Sequence, residues 1–496
     1  MSKKIRNADD HFTRNKWIYS LGGIGRDMSY ALFTQFLLTY ILFTRSITEA
    51  QFAVISTVLV ICRIWDGIND PVMGGIVENT RSRFGKFKPW IMIGCITNGA
   101  AVVAMFSNRL QGWSFVYLFI ALYLIWDITY TMNDIGYWSM MPSLTSSPDR
   151  RNKIVALSNL FSGMGSLMST GLVPVFTAGA LAIGGNSITA YAVVSVFVAG
   201  MFILCQALCC AGVKENRNYK DEEKKERLTL KKMFTVIFKN DQLLWSSLVT
   251  LLSYLSGAIL TGFAAYYIYL VFGYNGTYVT LFTSFYAGAS AVLLLVFPKL
   301  SAKFRRKKAV SISILISVIG YAAFLIGCLF LPLSIRFWVI CAAVMVVGFG
   351  QNWFGMTVMV IFTNTIEYNE YKTGSRDEAL IFSLRPFMAK MSSALQQVIV
   401  TLVYLAIGMT VLTNNISDLE QKANLNLITE EAKLAGINAA LAGAEGSMSV
   451  KLAICMAVIP IVLLVAALVI LKKKDKIDED EYERIVAETQ ARKNAE

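Results

Sequence analysis

Apolar residues in this chain run in long blocks rather than in stripes. Residues 242–298 contain no Asp, Glu, Lys, Arg or His, and residues 450–471 contain one charge, Lys451. About 20 apolar residues in a helix cross the ~30 Å hydrocarbon layer of a bilayer. Only helices or closed barrels satisfy their backbone there, and barrel strands would read as short alternating segments. The pattern therefore predicts an all-α polytopic membrane protein of about twelve spans: 17–43, 48–78, 89–108, 113–142, 153–183, 188–213, 240–272, 277–300, 308–331, 335–366, 376–413 and 448–472. The stretch 413–447 is polar, rich in Ala and Asn, and reads as a surface segment with at most a short helix and no evident chemistry.

Lys and Arg gather in alternate connections, as in Arg81-Ser82-Arg83-Phe84-Gly85-Lys86-Phe87-Lys88, Lys303-Phe304-Arg305-Arg306-Lys307-Lys308 and Lys472-Lys473-Lys474. This is the positive-inside pattern. It puts both termini on one side, which requires an even number of spans. The expected location is the plasma (inner) membrane, multi-pass, with cytoplasmic termini. The longest basic connection, 214–239, divides the spans six and six. The expected organisation is a six-helix half at 1–213, a cytoplasmic middle loop at 214–239, a second half at 240–472 and a cytoplasmic tail at 473–496, the plan of many secondary transporters.

Composition changes the picture only by exclusion. A soluble chain of 496 residues would form about three domains, but 55% hydrophobic and 16% charged residues with mean hydropathy +0.53 do not fit one. The net charge of +13 lies between spans, so it gives no nucleic-acid face. The polar start lacks the apolar core of a cleaved signal peptide. Eight cysteines lie inside apolar blocks without a CxxC pair, and the single histidine, His11, is in the polar leader. The cysteines read as apolar filler, and any proton relay must use carboxylates.

Charges inside spans carry the chemistry, because each costs ~2.5–3.5 kcal/mol on insertion scales. They are Arg26, Asp27, Arg63, Asp66, Asp70, Asp127, Asp134, Glu367, Arg385 and Lys390. Asp66, Asn69 and Asp70 share one helical face. Two carboxylates and an amide oxygen suit a hard cation. The bland alternative is a pair of salt bridges to Arg63 and Lys390. Pro71 kinks the helix and frees a carbonyl. In the fourth span Thr131, Asp134 and Trp138 align at spacings of three and four. A carboxylate takes sugar hydroxyls, and an indole covers the apolar side of a sugar ring. Trp126 and Tyr130 read equally well as packing aromatics. Arg26 and Asp27 point about 100° apart and need not pair, so Asp27 is expected in the cavity and Arg26 on another carboxylate. Lys390, deep in the eleventh span, is expected either to exchange partners at Asp70 or to form a plain ion pair.

Asp66-Gly67-Ile68-Asn69-Asp70-Pro71-Val72-Met73-Gly74, running on to Arg81 through Trp90, together with Asp134-Ile135-Gly136-Tyr137-Trp138-Ser139 and Ile366-Glu367-Tyr368-Asn369-Glu370-Tyr371-Lys372-Thr373-Gly374, resemble the glycoside–pentoside–hexuronide cation symporters of melibiose-permease type, a branch of the major facilitator superfamily. The resemblance covers nearly the whole chain. It implies a major facilitator fold and symport of a sugar or glycoside with a monovalent cation, sodium favoured and proton possible. It implies a cation site at Asp66, Asn69, Asp70 and Thr131, with Asp66 and Asp70 as the charged metal ligands. The implied sugar site uses Asp27, Asp134, Trp138 and Arg26, with Lys390 in coupling; Tyr130 is a further candidate for the sugar, and Arg63 and Glu367 for coupling, as charges or polar groups inside spans. The family's fifth-helix arginine is replaced by Asn159, which cannot make the same two-pronged contact. The remaining expectations are a lipid-embedded monomer that is not an enzyme, without a cofactor beyond the co-transported ion and without nucleic acid as a partner. The rival reading is a membrane-embedded sensor or enzyme, for which neither Cys nor His supplies a catalytic group.

Overall fold

The computed structural model describes residues 11–145, 147–214, 239–374 and 378–495, and all regular structure in them is helical. The helices are α1 (Phe12–Thr44), α2 (Glu49–Asn79), α3 (Lys88–Ser107), α4 (Gly112–Met140), α5 (Pro148–Thr177), α6 (Ser187–Gly212), α7 (Asp241–Phe272), α8 (Gly276–Lys303), α9 (Arg306–Phe330), α10 (Leu333–Thr373), α11 (Glu378–Ile407), α12 (Met409–Asn424), α13 (Glu430–Lys474) and α14 (Glu479–Ala495). Their starts follow from local chemistry. Thr48 and Gln51 form a reciprocal capping box at α2, and Asn186, Asn240 and Thr429 each accept a first-turn backbone N–H at α6, α7 and α13. Such side chains satisfy the orphan donors that every helix start leaves.

Among the described residues ten helices are long and apolar enough to cross a membrane: α3 to α11, and α13 from Gly446. The other two expected spans, α1 and α2, are 33 and 31 residues long. Arg26 and Asp27 lie within α1, and Arg63, Asp66 and Asp70 within α2.

Two expectations need correction. The span expected at 376–413 ends at Ile407, where Gly408 takes a left-handed conformation (φ 76°) and turns the chain into α12. A left-handed residue is the usual end of a helix, and glycine adopts it without strain. The segment 413–447 is mostly helical. It comprises α12 and the first turns of α13, which then runs without a break into the last span. The tail contains a docked helix, α14, whose approach is held by Asp478–Lys307 (3.2 Å), Glu479–Arg306 (3.3 Å) and Asp480–Arg305 (3.0 Å). The expected middle loop lies almost wholly outside the described residues.

α1 packs on α5 and α6, α3 on α4 and α6, and α2 on α4; α7 packs on α10, α11 and α13, and α9 on α10 and α13. The two groups meet where α2 crosses α11, where α5 crosses α8, and where α12 lies on α1. Close approach depends on glycine. A Cβ on Gly165 would strike the Ile24 backbone, and one on Gly276 would strike the backbone at Pro174.

Polar contacts between the groups concentrate at the bundle end opposite the termini. Thr401 Oγ1 donates to Ser56 Oγ at 2.8 Å, Thr39 bonds Tyr266 at 3.4 Å, Asn414 pairs through its amide with the Ile47 backbone at 2.9 Å in both directions, and Ser187 shares a 2.7 Å bond with Tyr274. The segment expected to lack chemistry holds a fully buried ion pair here. Lys433 Nζ is 3.7 Å from Glu420 and donates to the Gly185 carbonyl at 2.6 Å. Glu420 also accepts from the Ser187 N–H at 2.7 Å and hydroxyl at 3.0 Å. Burial raises the Glu420 carboxyl above its usual range, against the pull of Lys433 and the Ser187 donors.

Removing one partner of such a pair costs ~3–5 kcal/mol. Lys433→Met is therefore expected to lower the thermal midpoint of the purified protein in detergent by several degrees, and adding Glu420→Gln should recover most of it. In Lys433→Met alone, acidification should restore stability, because a carboxyl with a raised folded pKa favours the folded state as it protonates. A single variant that melts like the wild type would show that the pair contributes nothing.

Candidate functional site

Two charged clusters lie between these helices. The first is built on Arg26, which is 3% exposed. Its Nε donates to Asp27 at 2.9 Å, its Nη1 stands 3.1 Å from Asp134 Oδ1, and its Nη2 donates to Ser162 on α5 at 3.2 Å. The guanidinium also lies over the rings of Tyr137 (4.6 Å) and Trp138 (5.0 Å). Arg26 pairs with Asp27 and also reaches a second carboxylate, Asp134, the partner that their 100° separation left open to it. A long arginine side chain can curl back to its neighbour, and with burial this strong it must answer every nearby carboxylate. Arg26 Nη1 is close to Asp134 but not aligned for a hydrogen bond. Asp27 and Asp134 keep partly open side chains, 22% and 33% exposed, so both retain acceptor positions toward the space between the groups. Tyr130 stacks on Tyr30 at 4.9 Å. Trp126 is packed face to face on Phe33 at 4.0 Å and is core.

The second cluster spans the two groups. Lys390 on α11 reaches across to α2, 2.5 Å from Asp70 Oδ2 and 3.8 Å from Asp66 Oδ2. Arg63 holds Asp66 from the other side at 3.5 Å. The salt bridges weighed as the alternative to a cation site are thus present. Asn69 lies between the two aspartates in sequence, with a buried Nδ2 that has no partner among the described residues. Thr131 is buried on α4, and no hydrogen bond among the described residues joins it to Asp66, Asn69 or Asp70. Among the described residues no three His, Cys, Asp or Glu side chains converge as a metal-holding group. The oxygen donors available to a cation here are Asp66, Asp70 and the Asn69 amide.

Sequence reasoning gave no role to Asp127, which is 2% exposed, has an unpartnered Oδ2, and stands close enough to Asp66 for the two carboxylates to interact electrostatically. The available signal was its position four residues before Thr131, one turn along the same helix face. Ser162 was missed too, since a serine in an apolar helix carries no mark of its partner. Glu367 is not brought into either cluster. It lies within two turns of the end of α10, whereas Lys390 is three turns into α11. Asn159 is exposed on α5.

A family model described as MFS/sugar transport protein matches residues 18–473. The chain is similar to a lactose permease of Lactobacillus helveticus (28% identity over 79% of this chain) and to a raffinose carrier protein of Pediococcus pentosaceus (27% over 95%), and it spans 62% and 70% of their lengths. It is also similar to a glucuronide carrier protein homologue of Escherichia coli (24% over 76% of this chain and 80% of that protein). Among solved structures, a bacterial homologue of the human lysosomal transporter Spinster, in an inward-facing and unoccupied conformation, superposes with a TM-score of 0.63 at 14% identity, covering 96% of this chain and 99% of that one. The nucleoside transporter NupG superposes at 0.60 and 13% identity, covering 92% and 99%. These likenesses establish the major facilitator fold.

Proposed function

Because the chain belongs to the MFS/sugar transport protein family, a family of transporters and not of enzymes, we propose that it imports a sugar or glycoside together with a monovalent cation by alternating access. The observation that carries this reading is the Lys390 bridge to Asp70 and Asp66. It occupies the oxygen face that a cation would use, and it ties the two helix groups together there. A bound cation would replace Lys390 and free that tie.

On this reading the sugar sits beside Arg26, Asp27 and Asp134, with Trp138 covering one face of the ring and Tyr130 nearby. Asp66, Asn69 and Asp70 hold the cation, with Thr131 as a further donor once α4 moves closer. The basic connections lie on the cytoplasmic side, and the end closed by Ser56–Thr401 and Asn414–Ile47 faces outward. Names among the relatives (lactose permease, raffinose carrier, glucuronide carrier homologue) support a sugar substrate. Inward movement of one positive charge across ~100 mV supplies ~2.3 kcal/mol, roughly a 50-fold accumulation before any ion gradient is counted. Sodium is favoured because a pure proton site would leave the Asn69 amide and the Thr131 hydroxyl idle. Proton coupling is the second reading, and the closeness of Asp66 and Asp127 favours it, since two adjacent carboxyls can hold one proton between them.

Sugar uptake by energised vesicles at fixed pH, with sodium replaced by choline, separates the two. A large drop that sodium restores is expected. Uptake indifferent to sodium but abolished by a protonophore would make this a proton symporter.

Asp66→Cys and Asp70→Cys are expected to abolish uphill accumulation while sugar exchange without a gradient survives. Normal accumulation in both variants would displace the cation site.

Asp134→Ala and Trp138→Ala are expected to weaken sugar binding about 5- to 150-fold, matching ~1–3 kcal/mol for a lost buried contact, while sodium binding remains measurable. Unchanged affinity in both would move the sugar elsewhere.

A further inference from the structure

Among the described residues, four cations lie in or beside the space between the helix groups, and three are answered by carboxylates. Arg26 has Asp27 and Asp134, Arg63 has Asp66, and Lys390 has Asp66 and Asp70. The fourth, Arg385 on α11, differs. Among the described residues its partner is a neutral one: Nε donates to the Tyr254 hydroxyl on α7 at 3.1 Å. The Nη1 and Nη2 edge, the end that presents two parallel donors, has no acceptor among the described residues.

Arg385 faces α7 through its bond to Tyr254. In this part of α11, Ile381, Leu384 and Met388 are buried, the first two against Leu243, Phe362 and Ile366. Phe382, Arg385, Pro386 and Ala389 are exposed and form one stripe that runs up to Lys390. The apolar outer face of the same helix is Leu395, Val398 and Leu402, about 80–140° further round at 100° per residue. Arg385 and Lys390 stand about 140° apart at 100° per residue, at the two edges of this exposed stripe, Arg385 beside α7 and Lys390 beside α2. The Arg385 guanidinium is also deep. Tyr254 is 13 residues into α7, about 20 Å from that helix end at 1.5 Å per residue. A charge at that depth is costly without an answering group, and Tyr254 fixes the plane of the guanidinium without neutralising it.

We propose that Arg385 is a substrate-contacting, specificity-determining residue whose Nη edge takes two adjacent oxygen acceptors of the sugar, with Tyr254 as its positioning residue. The inference rests on the sugar-symport reading and completes it. The polar contacts assigned above to the sugar come from α1 and α4, and Arg385 supplies the contact from the opposite group that would let a bound sugar draw the two together. A guanidinium edge matches a carboxylate or a vicinal pair of ring hydroxyls, and lysine reproduces the charge but not the fork.

The test is counterflow of lactose and of methyl β-D-glucuronide in proteoliposomes with wild type, Arg385→Gln, Arg385→Lys and Tyr254→Phe. Arg385→Gln is expected to raise KM about 10- to 100-fold for each probe that the wild type moves, a lost two-pronged contact to a charged donor. Arg385→Lys should recover little of it, and Tyr254→Phe should lose only a few-fold. The concentration of cation giving half-maximal activation should not move. A larger loss for the glucuronide identifies a carboxylate acceptor, and equal losses identify vicinal hydroxyls. Wild-type counterflow with KM unchanged in Arg385→Gln overturns this inference alone, as does a loss confined to maximal rate with cation activation shifted. Wild-type vesicles that move neither probe overturn the sugar reading, and this inference with it.

Discussion

The constraint on which this structure turns is that an apolar bundle cannot leave a buried charge unanswered. Lys390, Asp70 and Asp66 state it most directly, because the answer comes from the other helix group. An ion pair inside one helix would satisfy the same electrostatics and do nothing for the join. Drawn between α11 and α2, it makes the cohesion of the two groups depend on which cation occupies the oxygen face. The cost is visible in α1 and α2, which carry Arg26, Asp27, Arg63, Asp66 and Asp70 inside the bundle. They stay in the bundle because those charges are spent on partners inside it.

The same logic explains why the two ends of the bundle are built differently. At the end opposite the termini, contacts between the groups include neutral hydrogen bonds and packed aromatics, such as Ser56 with Thr401 and Phe43 with Tyr266. Bonds of this kind are modest singly and can be broken and remade without stranding a charge. The Glu420–Lys433 pair at that end is fully buried and joins α12 to α13 on the same side of the molecule. It sets the shape of the outer cap, while Ser187 links that cap to α6. Strong, fixed electrostatics hold the cap together, and weaker bonds hold it to its neighbours.

Much of the fold was legible because spans are set by length and hydropathy, which are local. The cation face was legible for the same reason, since Asp66, Asn69 and Asp70 lie within one turn. What was not legible is what depends on partners far away in sequence. Asp127 gains meaning only when α2 is laid against it, and Glu420 and Lys433 look like surface residues until α12 folds back. The direct Arg26–Asp27 bond was not legible, because helical geometry fixes where a Cβ points and leaves the far end of an arginine free. Gly408 is a conformational break inside an apolar run, which periodicity alone does not reveal. Asn159 marks a departure from the family pattern, and the structure gives a physical counterpart: the adjacent turn of α5 contributes Ser162, which takes one arm of Arg26.

The distribution of charge carries the argument one step further. The carboxylates of the cavity, Asp27, Asp66, Asp70, Asp127 and Asp134, all stand on α1, α2 and α4, while Lys390 and Arg385 stand on α11. With no substrate, attraction across the gap is direct, and Lys390 already spends its charge on it. A cation on the Asp66–Asp70 face would neutralise the first group locally and release Lys390, weakening the direct tie. A sugar held between Asp134 and Arg385 would restore attraction through its own hydroxyls. On the proposed symport, each ligand alone leaves the groups in a different state from both together: the cation loosens the direct tie, and the sugar supplies a substitute only once that tie is loose. Coupling then needs no long-range relay, because the same few charges on three helices face one helix across the gap.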